Sequence, residues 1–99
     1  LIDDENKLKI NEKIKLFLNK LAITGNKLAI VQIAKWNLEL SPEPNFENAY
    51  KWYNIAVALG IKSARLKRDE MIENIESQRL FEIQRESINI FNKINNLGG

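Results

Sequence analysis

The chain has no cysteine and no histidine. Disulfides, thiolate nucleophiles and the usual zinc ligands are excluded by that alone. So are a histidine general base and any Ser–His or Cys–His nucleophile pair. No apolar run approaches the roughly 18 residues of a membrane span, and no signal-peptide pattern is present. Neither charge sign dominates: fifteen basic residues against thirteen acidic ones leave a net charge of +2. The basic residues are scattered along the chain, which gives no footprint for nucleic acid. Loose carboxylates such as Glu39, Glu43, Glu82 and Glu86 have no nucleophile or base beside them, so no catalytic set is expected. No tight carboxylate loop for calcium or magnesium is visible, and no cofactor is expected. The chain opens on Leu1 rather than Met, as a processed or trimmed chain would. The compartment is left open between cytoplasm, periplasm and exterior.

What is present is a folding composition, 44% hydrophobic and 28% charged over 99 residues. One small domain with a modest core is implied. Chain breakers are few, two prolines and four glycines, so each marks a boundary. Ile10, Ile14, Phe17 and Leu21 form a helical stripe behind the acidic opening Asp3, Asp4 and Glu5. Gly25 ends that helix. Ala29, Ile33, Trp36 and Leu40 make a second stripe, closed by the Ser41–Pro44 stretch SPEP. Asn45 caps a third helix with Phe46, Ala49, Tyr50, Tyr53, Ala56 and Val57 on one face, and Gly60 ends it. A fourth segment carries Ile61, Ala64, Met71, Ile72 and Ile75. The fifth starts near Ser77 and carries Leu80, Gln84, Ser87, Phe91 and Ile94. No segment alternates as a strand would. About five helices of about 13 to 20 residues with short loops are predicted.

Two windows repeat without a gap at a spacing of 35. Glu12 aligns with Glu47, Ile14 with Ala49, Phe17 with Trp52 and Leu21 with Ala56. Gly25 then aligns with Gly60, Lys27 with Lys62 and Ala29 with Ala64. A period in the mid-thirties is the mark of helix–turn–helix repeats. The glycine reverses the chain, and the alanine four residues later permits close helix approach.

Pro44, Phe46, Glu47, Ala49, Trp52, Tyr53, Ala56, Gly60 and Ala64 together resemble the Sel-one-like repeat, a tetratricopeptide-like α/α unit. The window from Glu12 resembles it more loosely, through Phe17, Ala22, Gly25, Ala29, Ile33 and Ala34. The chain departs from the family pattern at SPEP, where a glycine-rich loop is usual, and at Ala34 and Asn37. The resemblance implies an all-α fold: an α/α solenoid of antiparallel helix hairpins closed by a long C-terminal capping helix. Its units would be a partial repeat over 5–25, a full repeat over 26–60, and a terminal repeat with the capping helix over 61–97. Residues 98–99 would be a tail. Bacterial adaptor or scaffold proteins are where the resemblance points.

The aromatic cluster Phe46, Tyr50, Trp52 and Tyr53 reads as a packing joint rather than a stacking platform, because three of its members share one helical face. Lys62, Arg65, Lys67 and Arg68 read as a solvated face, with Arg65–Asp69 as an i, i+4 pair. The functional expectation is a non-catalytic module that binds a protein partner along the inner helices. The candidates are Gln32, Lys35, Trp36 and Asn37 on one inner helix and Arg65, Arg68 and Asp69 on the next. Two rivals share that groove or its ends. One is an inhibitor or immunity-type protein blocking a toxin or enzyme. The other is a structural segment of a longer array, or a self-associating unit, with an exposed apolar face on its first or last helix.

Overall fold

The computed structural model describes residues 4–97; Asp3 and the tail at 98–99 lie outside the described residues. The described chain is all-α, with five α-helices: α1 (Asp4–Ile23), α2 (Lys27–Glu39), α3 (Phe46–Ala58), α4 (Ala64–Glu70) and α5 (Ser77–Leu97). A 3₁₀ turn, Ile72–Asn74, joins the last two.

The breakers fall where the sequence places them. Gly25 has φ +92° and Gly60 φ +93°, conformations that side-chain-bearing residues avoid. Around Gly25, the Asn26 amide donates to the Leu21 carbonyl and the Gly25 amide to Ala22. Around Gly60, Ile61 donates to Ala56 and Gly60 to Val57. Both are Schellman closures, and every member lies 35 residues from its counterpart. Asn45 caps α3 through an Oδ1 that accepts from the Asn48 amide at 3.0 Å. Asn26 caps α2 in the same manner, accepting from Ala29 at 2.9 Å. Ser, Asn and Asp side chains at this position satisfy donors that the first helical turn leaves free.

Three expectations are corrected. The fourth segment is not one long helix but seven residues of α-helix followed by the 3₁₀ turn. Only Ala64, Met71 and Ile75 of its apolar set are buried, so little packing sustains a longer helix. In α1, the stripe Ile10–Ile14–Phe17 does not face the core; Asn11, Lys15, Leu18, Asn19 and Ala22 turn inward instead. Trp36 and Asn37, read as candidates for an exposed inner face, are both buried.

The last correction has a topological cause. α2 packs against both α1 and α3. Two covered sides draw in Ala29, Ile30, Ile33, Ala34, Trp36 and Asn37, well over one helical stripe. Ile30, Ile33, Ile55 and Ile83 are the largest fully buried side chains. Burying each such group contributes about 1.5–3 kcal/mol. α3 is the hub: it packs on α2, α4 and α5, and six of its thirteen residues are buried. The aromatic joint forms as expected, with Tyr50, Trp52 and Tyr53 inside. The radius of gyration, 13.9 Å, exceeds the about 12.6 Å of a compact domain of this length, so the helices are laid out in a broad layer rather than a ball.

Candidate functional site

α4 and α5 both pack on α3 but barely on each other. That leaves a groove with α3 as its floor. Two adjoining cavities of about 390 Å³ and 250 Å³ share Asn54, Arg68 and Ile88. Tyr50 and Asn54 come from α3, Arg68 and Asp69 from α4, Ile72 from the 3₁₀ turn, and Gln84, Ile88 and Phe91 from α5.

The polar groups in the groove are held in place. Arg68 Nη1 donates to Asn54 Oδ1 at 3.1 Å, and its Nε to Asp69 Oδ1 at 3.0 Å. Gln84 Nε2 donates to the Tyr50 hydroxyl at 3.2 Å. Ser87 turns its hydroxyl back to the Ile83 carbonyl at 2.8 Å, so it offers the groove little. Ile72 and Ile88 remain exposed as the apolar rims. The result is an open groove of mixed lining, polar around Arg68, Asp69 and Gln84 and apolar toward Ile55, Val57 and Phe91.

At one end of the groove Arg79 ties α5 to α3. Its Nε donates to Glu47 Oε1 at 2.7 Å and its Nη1 to Glu82 Oε2 at 2.7 Å, with Glu86 at 3.5 Å. Those hydrogen bonds push the guanidinium above its already high ordinary value, so the clamp stays charged. Elsewhere on α3, burial raises the Tyr53 phenol, reinforced by the carboxylates of Glu39 and Glu70.

The expected site residues separate. Arg68 and Asp69 line the groove, and Asp69 pairs with Arg68 rather than with Arg65. Arg65 is exposed and lies beside Val57, Gly60 and Lys62 in a different recess. Gln32 and Lys35 are exposed on α2 and line neither cavity of the groove. Trp36 is sealed in the core, with Lys15 Nζ 5.3 Å from its ring centroid. Its Nε1 has no hydrogen-bond partner among the described residues. Asn37 donates from Nδ2 to the Ile33 carbonyl at 2.8 Å, while its own carbonyl accepts from the Asn45 amide at 2.8 Å. Both residues hold the loop and core together.

Sequence reasoning missed Tyr50, Asn54, Ile72, Gln84 and Ile88. A signal was available in the 35-residue spacing. Glutamate recurs at 12, 47 and 82, and asparagine at 19, 54 and 89. Phe46 and Ile55 also recur as Phe81 and Ile90. α1, α3 and α5 thus share a 35-residue spacing in the sequence.

Among the described residues no cluster of three or more carboxylates, histidines or cysteines could hold a metal ion. No helix of the described residues is long and apolar enough to cross a membrane. The architecture defines an all-α protein of packed helices with one groove between its last two. Comparison with family models, with curated proteins and with solved structures found no match.

Proposed function

We propose that the protein is a non-catalytic interaction module that holds a segment of a protein partner in the groove between α4 and α5. The observation that carries this is the groove itself: three helices and the 3₁₀ turn converge on it, its rims are exposed apolar side chains, and its polar groups are pre-positioned by bonds to each other. Pre-positioned groups lose little freedom on binding, which favours recognition. The 35-residue spacing, the paired Schellman turns and the Sel-one-like positions support a tetratricopeptide-like solenoid and an adaptor role. This last step rests on resemblance, since a fold hosts many functions. An exposed apolar flank on α1 favours a second reading, a structural or self-associating unit.

The test is peptide selection from a displayed random library on the folded protein. Binders are expected, and Ile88→Arg and Arg68→Glu should each weaken them at least about tenfold, the loss of one well-placed contact. Peptides that bound both variants as tightly as the parent would place recognition elsewhere.

A further inference from the structure

A second cavity lies where α1, α3 and α5 come together. Ile23 from the last turn of α1, Lys51 and Trp52 from α3, and Ile90, Lys93 and Ile94 from α5 line a space of about 300 Å³. It shares no lining residue with the groove. Its wall is preformed. Trp52 and Ile94 are buried, and the Gly25 turn stands so close behind Ile94 that a Cβ there would fall 2.9 Å from Ile94 Cγ2. Ile90 is half-buried and Ile23 exposed.

The charge of the segments that meet there has one sign. From Leu16 to Ile23, Asn48 to Ala58 and Ser87 to Leu97, the three helices carry three lysines and no acid. Lys51 and Lys93 line the cavity, and neither pairs with a carboxylate among the described residues. Lys51 is half-buried, its Nζ 5.7 Å from the Trp52 ring centroid. Glu47 and Glu86, one turn before Lys51 and Ile90, are both engaged by Arg79. A preformed apolar recess with unmatched cations fits a molecule that has an apolar body and a negative head. A carboxylate accepting from an ammonium makes one of the stronger hydrogen bonds available. The space equals about ten waters at about 30 Å³ each, which limits the ligand to about ten non-hydrogen atoms.

We propose that this cavity binds a small monocarboxylic acid with an apolar body, the body against Trp52, Ile90 and Ile94 and the carboxylate accepting from Lys51 and Lys93. The site is separate from the groove and independent of the function proposed above.

Octanoate, a member of that class with the right size, tests it by titration into the ¹⁵N-labelled protein. Octanol, which lacks the charge, and octylamine, which reverses it, are titrated in parallel. Octanoate should move the amide signals of Ile23, Trp52, Ile90 and Ile94 with a Kd of about 0.1–1 mM, the range open to a ligand of about ten heavy atoms. Octanol and octylamine should bind at least about tenfold more weakly, the loss of one charge-assisted contact. The double variant Lys51→Met/Lys93→Met keeps the apolar stems and removes both charges; circular dichroism checks that it remains folded. It should bind octanoate no better than octanol and leave octanol binding unchanged, which a loosened cavity would not do. No movement of those four signals at about 10 mM octanoate, octylamine binding as tight as octanoate, or undiminished octanoate binding by the double variant would each overturn the proposal. So would a short peptide ending in a leucine carboxylate that moves the four signals when octanoate does not, since the cavity would then serve a protein terminus. None of these results bears on the peptide selection, whose variants at Ile88 and Arg68 lie outside the cavity.

Discussion

Gly25 and Gly60 occupy equivalent turns with φ within one degree of each other, yet their surroundings differ. A Cβ built on Gly60 meets nothing within 4 Å, whereas one on Gly25 falls 2.9 Å from Ile94 Cγ2. Replacing either glycine by alanine carries the same left-handed penalty, about 1–2 kcal/mol, partly offset by the stiffer unfolded chain. Gly25→Ala adds an overpacking cost of about 1–3 kcal/mol, because Ile94 is buried and its β-branch cannot swing aside. For a chain of this size, each kcal/mol lowers the melting temperature by about 4–8 °C. Urea titration followed at 222 nm should therefore rank Gly25→Ala clearly below Gly60→Ala. Ile94→Leu removes the offending γ-methyl while keeping volume, so the double variant Gly25→Ala/Ile94→Leu should recover about 1 kcal/mol relative to additivity. Equal losses at the two glycines, or coupling within about 0.3 kcal/mol of zero, would refute the docking of α5 against the first turn.

Two more outcomes follow from the core. Trp36→Ala should cost about 3–5 kcal/mol in thermal or urea unfolding, since the ring is buried. Trp36→Phe should cost less than the lost volume suggests, because it also removes a buried donor without a partner; a larger loss than Trp36→Ala would contradict that. Tyr53 gives a pH signature. Its proton is held in the folded chain above the ordinary value of 10.0, so the unfolded chain gives up its proton first and binds fewer. Its contribution is complete below that value and is lost as pH rises through the higher folded one. The urea midpoint of the parent should thus fall more steeply above about pH 10 than that of Tyr53→Phe, and parallel curves would exclude the effect.

Helix boundaries are legible in the sequence where a single residue type carries the local conformation. Gly25, Gly60, Asn45 and the SPEP prolines act within a few residues, through φ, a cap or a missing amide, so they can be read in one dimension. The extent of the fourth helix is not legible in this way: only Ala64, Met71 and Ile75 of its apolar residues are covered, and coverage depends on neighbours far along the chain.

The site was less legible. Trp36 and Asn37 resemble surface binding residues only while α2 is imagined with one covered side. Arg68 was a candidate on charge grounds, but its partner Asn54 lies fourteen residues away and comes from another helix. Tyr50 and Gln84 meet across thirty-four residues.

By itself, the sequence determined the all-α class, the 35-residue register and the two glycine turns, because helical period, capping and left-handed φ are local properties. Tertiary structure alone decided which stripe of α1 faces inward, that α2 is covered on two sides, and that α4 and α5 part to leave a groove over α3. Those outcomes depend on which helices compete for the same buried surface, and that competition is settled only when all five are in place.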